Sequence, residues 1–84
     1  MALHFIAKDP NTGGENCPTV WVDHERERIV VQGWNSDAET LTECLATGHI
    51  PDTESVVEVP FRMVEVLREA CDAAERAHLR GAAG

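Results

Sequence analysis

Tyrosine is absent from this 84-residue chain, and lysine occurs once, at Lys8. Seven basic side chains stand against 15 acidic ones, which gives a formal net charge of −8. Proteins that bind nucleic acid directly neutralise phosphates with clustered Lys and Arg, so this balance disfavours direct nucleic-acid binding. An anionic membrane surface would also repel the domain. Charge of this sign keeps a small protein soluble, and it would attract a basic protein partner such as a DNA-binding regulator.

Long hydrophobic runs are also missing. The longest aliphatic run is Ile29-Val30-Val31, far shorter than a membrane span. Residues 1–10 lack the basic segment and the extended apolar segment of a secretory signal peptide. Three cysteines without such a signal favour reduced thiols. We therefore expect a cytoplasmic protein with no membrane segment.

The length predicts one small domain over residues 1–84, with residues 81–84 as a frayed tail. Chains of this size bury only about 60–65% of their unfolded surface, so the core is expected to be modest. The free energy of unfolding should then be about 5 kcal/mol. A homodimer, or a larger protein partner, would add buried surface.

Four stretches are predicted to be strands, at residues 3–6, 19–23, 28–34 and 55–59. Val, Ile, Thr and Trp dominate the second and third, which form a hairpin around a charged connection. Alternation places Val20 and Val22 on one face and Trp21 on the other. Before this hairpin, Gly13 and Gly14 predict a turn that leads into Asn16 and Cys17.

Two helices are predicted. The first spans residues 36–46, with Ser36 and Glu39 as a capping box and Gly48 as the stop signal. Its predicted buried stripe is Leu41, Cys44 and Leu45. The second begins at Pro60 and runs to about Leu79. The side chains of its predicted apolar stripe are Met63, Val64, Leu67, Ala70, Cys71 and Ala74. The sequence thus predicts an α+β fold: a small antiparallel sheet of about three to four strands packed by two helices, the longer one C-terminal.

Four side chains could in principle bind zinc: Cys17, His24, Cys44 and His49. Their spacings contain no CxxC pair, and the pattern favours structural roles for Cys44 and Cys71. A Cys17–His24 nucleophilic pair would need both side chains within hydrogen-bond reach, whereas alternation places them on opposite faces. We expect no catalytic residue, no bound metal and no cofactor. The alternative is a small metal-binding or ligand-sensing domain that uses Cys17 and His24.

Two tryptophans, Trp21 and Trp34, lie on the predicted hairpin. Tryptophan is enriched at protein interfaces, although a domain this small also needs aromatic side chains for its core. Trp34 lies beside Gly33 at a strand end and is the one we expect to be exposed. Together with Trp21 and the acidic Glu25 and Glu27 of the hairpin connection, it forms the predicted partner interface.

The stretches GGENCPTVWVD and VVEVPFRMVEVLREA resemble the BldB-like and WhiJ-associated small proteins of actinobacteria. The resemblance covers residues 12–71 and is carried by Gly13, Gly14, Asn16, Cys17, Val20, Val22, Val57, Val59 and Pro60. It implies a non-enzymatic protein. Such proteins are often encoded beside helix-turn-helix regulators, and some act as antitoxin-like or anti-regulator partners. It also implies that self-association occurs in some members. The expected function is therefore that of an accessory to a transcriptional regulator.

Overall fold

A computed structural model describes residues 3–10 and 17–83, with side chains through His78. In this part of the chain the elements are β1 (Leu3–Lys8), β2 (Thr19–Asp23), β3 (Arg28–Gln32), β4 (Trp34–Asn35), α1 (Ala38–Leu45), β5 (Val57–Glu58), a 3₁₀ turn (Phe61–Met63) and α2 (Val64–Ala83). β1, β2 and β3 form an antiparallel sheet in that order, and β4 pairs with β5 in a second sheet. The predicted α+β class is confirmed, with the longer helix C-terminal. No helix in the described ranges is long and apolar enough to cross a membrane.

β2 is the central strand and supplies the sheet's part of the core. Val20 and Val22 point towards α2 and are buried, whereas Trp21 lies on the opposite face and is half-buried. This is the arrangement that alternation predicted. Cys17 immediately precedes the strand and is buried as well. The predicted glycine turn before it, at residues 13–16, lies outside the described residues.

The core lies between β2 and the C-terminal helix. Six buried side chains form it: Val20, Val22, Met63, Val66, Ala70 and Ala73. The predicted stripe on α2 is therefore partly wrong, because Val66 and Ala73 are buried while Val64 and Cys71 are exposed. Successive residues lie about 100° apart around a helix. The side of α2 that contacts the sheet is therefore rotated, by about one residue, from part of the predicted stripe. The helix also continues through Gly81 to Ala83, beyond its predicted end.

An ion pair attaches the start of the C-terminal helical segment to the end of β1. Both Arg62 Nε and a terminal guanidinium nitrogen donate to the Asp9 carboxylate, each at 2.6 Å, and the Asp9 side chain is fully buried. The Asp9 backbone N–H also donates to the carbonyl of Pro18 at 2.8 Å. A two-bond pair of this kind fixes orientation as well as distance. It holds the 3₁₀ turn, β1 and the start of β2 together.

Gly33 explains why the predicted strand 28–34 divides into β3 and β4. A Cβ at this position would lie 2.6 Å from the carbonyl oxygen of Glu58 and 3.2 Å from Cγ1 of Val59. The backbone that leads from β5 to the C-terminal helix therefore crosses directly over the glycine. Only a residue without a side chain permits such a close approach.

Residues 34–58, which we call the arm, leave the core at this glycine. Its helix α1 begins with Asp37 as N-cap, whose Oδ1 accepts a hydrogen bond from the backbone N–H of Thr40 at 2.8 Å. The predicted capping residue, Ser36, is wrong by one position. The Ser36 hydroxyl oxygen is buried and has no hydrogen-bond partner among the described residues.

The predicted buried stripe of α1 is also wrong, because no residue of this helix is buried. Leu41 and Cys44 are half-buried, and Leu45 is 54% exposed. The helix ends at Leu45, before the predicted stop at Gly48. The three-stranded sheet is therefore covered by α2, while α1 lies in the arm.

Candidate functional site

Trp34 is the exposed tryptophan, as expected from the sequence. It lies on β4, at the base of the arm, and 43% of its surface is exposed. Directly opposite, on β5, lies Glu58. Directly opposed residues of an antiparallel pair project from the same face, so the indole and this carboxylate are neighbours. Trp21, in contrast, is half-buried on the sheet face away from α2, where it is paired with Phe5.

The structure does not bring the four predicted interface residues together. Glu25 and Glu27 are exposed in the β2–β3 turn, where Asp23 Oδ1 accepts the Glu25 N–H at 3.1 Å. Trp34 follows the other end of β3. Six residues of near-extended chain lie between it and Glu27, which corresponds to roughly 20 Å. These glutamates and Trp34 therefore belong to opposite ends of the domain.

A shallow depression adjoins Trp34, which we call the Trp34 depression. Its volume is about 330 Å³, and its lining residues are Cys17, Pro18, Gln32, Gly33, Trp34 and Asn35. The carbonyl oxygen of Cys17 accepts hydrogen bonds from Gln32 Nε2 at 2.8 Å and from Thr19 Oγ1 at 2.9 Å. These bonds hold the start of β2 against the end of β3. The tryptophan thus lies beside a surface whose backbone is held in place by these hydrogen bonds.

Most of the net negative charge of the protein lies in the arm. Residues 34–58 contain six carboxylates and no Lys or Arg: Asp37, Glu39, Glu43, Asp52, Glu54 and Glu58. They account for six of the eight net negative charges of the chain. The backbone N–H of Thr40 donates to Asp37 and lowers the pKa of that carboxyl below its ordinary value, so it remains ionised at neutral pH. An exposed tryptophan therefore lies next to a segment with a negative potential.

The structure does not bring together Cys17 and His24, the two residues of the alternative site. The two residues flank β2 at opposite ends, and the five strand residues between them span on the order of 15 Å. They cannot bind one ion or one small ligand together. In the described residues, no three His, Cys, Asp or Glu side chains are grouped so that they could hold a metal ion.

His24 instead contacts His4 of β1, a pairing that the sequence analysis missed. His4 Nδ1 and His24 Nε2 lie 3.3 Å apart, and the two rings stack with centroids 5.4 Å apart. Both side chains are exposed. The register of β1 on β2 brings them together, since His4 is paired with Val22 near the turn that carries His24.

Comparison of the chain with protein-family models, with curated proteins and with solved structures found no match. The resemblance to the BldB-like group therefore stays a prediction. A proposal of function must therefore rest on three structural features of the described residues: an exposed indole, a shallow wall beside it and an acidic arm.

Proposed function

We propose that this protein is a non-enzymatic protein–protein interaction module that binds a basic partner through Trp34 and the acidic arm. The partner class we propose is a DNA-binding regulator of the helix-turn-helix kind, with the module as its accessory in the cytoplasm. Binding would occlude or stabilise the regulator. The observation that carries this proposal is the position of an exposed tryptophan at the base of a segment with six carboxylates and no Lys or Arg.

Trp34 has the properties of an interface anchor. Tryptophan is enriched among the residues that contribute most to binding, and such residues act when they insert into a pocket of the partner. The indole is partly free for this purpose, while the Trp34 depression offers a recess for a partner side chain. Truncation of an anchor of this kind typically costs 2 kcal/mol or more, which is about thirtyfold in Kd.

The arm contributes the electrostatic part of the proposal. Complementary charge accelerates the encounter of two proteins and raises the affinity less than it raises the association rate. Basic surfaces are what DNA-binding proteins present, so six carboxylates in one segment match that partner class. Salt screens such attraction, because the Debye length is about 10 Å at 0.1 M ionic strength.

The packing of the arm also favours a binding role. No side chain of α1 is buried, and Leu45 is largely exposed. A partner that covers this helix would bury leucine surface that the isolated domain leaves in water.

A tagged pull-down from the native cytoplasm, at low and moderate salt with mass spectrometry as readout, tests the proposal. We expect a stoichiometric basic DNA-binding protein that is lost as salt rises. Trp34→Ala should reduce its capture by about thirtyfold in affinity while the circular dichroism spectrum is kept. Recovery of only self-associated protein, or full capture by Trp34→Ala, would contradict the proposal.

Two pairs of substitutions distinguish an effect of the charge in the arm from an effect of the total charge of the protein. Glu54→Gln with Glu58→Gln removes two negative charges from the arm, and Glu25→Gln with Glu27→Gln removes two from the β2–β3 turn. The change in net charge is the same in both. We expect slower association only for the arm pair, measured by surface plasmon resonance on the captured partner. An equal effect of both pairs would mean that total charge, and not the arm, attracts the partner.

A further inference from the structure

β3 is an edge strand with a free side. It pairs with β2 along one side only, and no strand among the described residues pairs with its other side. An unpaired strand edge is a template for another strand. The opposite edge strand, β1, is interrupted between Phe5 and Ala7, an irregularity of the kind that blocks strand addition. β3 has a regular register from end to end and contains no proline.

The face of β3 that points towards α2 is only partly covered. Ile29 and Val31 project from the same face as Val22 and Val20, with which they are paired, but they are 43% and 36% exposed. A helix about 10 Å wide covers roughly two strands that are 4.8 Å apart. α2 lies over β2 and contacts β1 and β3 on either side, β3 the least. The helix therefore covers only the side of β3 that is nearer to β2.

A partly exposed apolar stripe on α2 adjoins Ile29 and Val31. Ile29 of β3 and Ala74 and His78 of α2 line one groove of about 340 Å³, whose other end is lined by charged residues of the β2–β3 turn. Towards the start of the helix, the same side continues through Val64, which is 40% exposed, with Leu67 and Cys71 lining a second hollow. We call the apolar side chains of this region that remain at least partly exposed the β3–α2 surface: Ile29, Val31, Val64, Leu67, Cys71 and Ala74.

We propose that the occupant of the β3–α2 surface is a second copy of this chain, joined by antiparallel pairing of the two β3 strands. The proposal goes beyond the proposed function and does not depend on it. Pairing must keep both helices on one face of the joined sheet, because a slip of one residue would turn the apolar side chains to the other face. Of the registers that satisfy this condition, the one centred on Val30 pairs all five residues of the strand.

This register makes β3 complementary to itself. Ile29 lies opposite the second copy's Val31, and Val30 lies opposite the same residue of the second copy. Arg28, the only charged residue of the strand, lies opposite Gln32, so no like charges oppose each other directly. Apolar cross-strand pairs of β-branched residues stabilise a sheet, whereas opposed like charges destabilise it. A second copy therefore fits this edge in both pattern and charge.

In the joined sheet, the distance between the two α2 helices would be short enough to cover the exposed surface. Two helices centred over the β2 strands would stand three strand spacings apart, about 14 Å. Since each helix is about 10 Å wide, a slot of about 4 Å remains between them, above the paired β3 strands. Val64 and Leu67 of both copies border that slot. Ile29 and Val31 would then face apolar side chains where the single chain exposes them to water.

The chain exposes more surface than a compact protein of its mass. A compact folded protein of 9.2 kDa exposes about 4,900 Å², whereas this chain exposes 6504 Å². Its radius of gyration is 14.7 Å, against about 12 Å for a compact domain of this length. The arm contributes to the excess, which is about 1,600 Å². A standard interface removes about 800 Å² from each partner, which is smaller than this excess.

Sedimentation equilibrium of the full chain over a range of concentrations is the first test. We expect a dimer that Val31→Lys weakens at least about tenfold in Kd, because an edge lysine blocks strand addition. This substitution reduces the net negative charge, so weaker association could not come from overall repulsion. The matched control, Phe5→Lys, lies on the opposite face of the sheet and should leave the dimer unchanged. A monomer at ~100 µM, or equal effects of both lysines, would overturn the proposal.

Disulfide trapping tests the register and does not depend on the lysine variant folding. In a Cys71→Ser background, Val30→Cys should cross-link to its copy on mild oxidation, since directly opposed Cβ atoms lie about 5 Å apart. Gln32→Cys is the control, because the register places it about 13 Å from the same position of the second copy. Equal cross-linking of both would refute this register. Trp34→Ala should leave the dimer mass unchanged, so failure of the partner proposal is distinguishable from failure of this one.

Discussion

Met63 should be the most sensitive single position for stability. It is 0% exposed and belongs to the core, whereas Phe61, two residues earlier in the same 3₁₀ turn, is 93% exposed. Truncation of a buried methionine to alanine costs about 2–5 kcal/mol, because apolar contacts are lost and a cavity remains. The neighbour provides a control in which a larger side chain is removed from water-exposed surface.

The magnitude follows from the size of the core. Domains have about 0.05–0.15 kcal/mol of stability per residue, or about 4–13 kcal/mol for this length. With only six side chains in the core cluster of the described residues, we take about 5 kcal/mol. Met63→Ala at about 3 kcal/mol would leave about 2 kcal/mol and lower Tm by 12–24 °C, since 1 kcal/mol corresponds to about 4–8 °C in a domain of this size. Phe61→Ala should change the unfolding free energy by no more than about 0.5 kcal/mol.

Urea unfolding followed by circular dichroism measures both variants. The protein concentration should be low, because self-association would add stability that depends on concentration. The m-value should stay constant if the two variants unfold from the same fold to the same unfolded state. If Phe61→Ala cost as much as Met63→Ala, the placement of the helix on the sheet would be refuted.

Two further predictions concern the backbone and the arm. Gly33→Ala should destabilise the protein by about 1–3 kcal/mol, since its Cβ would lie 2.6 Å from the carbonyl oxygen of Glu58. Gly48→Ala meets no atom within 4 Å and should be neutral or slightly stabilising, so urea midpoints that fall equally for both would contradict the crossing at Gly33. The lowered pKa of Asp37 means that its cap is present above the ordinary carboxyl pKa and is lost as pH falls through the lowered one. The amide resonance of Thr40 should report that loss in an NMR titration, and an unchanged resonance down to full protonation would exclude the cap.

Local patterns predicted much of the sheet. β2 has the bounds that alternation indicated, and Val20 and Val22 face the core as expected. The exposure of Trp34 was also predictable, because a tryptophan beside a glycine at a strand end has few neighbours. Such features depend on residues that are close in sequence, and periodicity reports them directly.

Contacts between distant residues were not predictable in the same way. Asp9 and Arg62 are 53 residues apart, and His4 and His24 are 20 apart. The charge and the sequence spacing of two residues do not predict such contacts, because the contacts depend on how distant elements pack together. The N-cap of α1 could be predicted only to within one residue. Ser36 and Asp37 are adjacent residues of equally suitable type, and only the backbone geometry distinguishes them.

The sequence by itself determined the α+β class, the central hairpin, the acidic balance and the presence of a long C-terminal helix. Only the tertiary structure decided which side of that helix is buried, because its apolar residues cover a wider arc than the sheet can cover. It also decided that the six carboxylates of residues 34–58 belong to an arm outside the core. The physical reason is the same in both cases: periodicity shows which residues avoid water, whereas the area available on neighbouring elements decides which of them are buried.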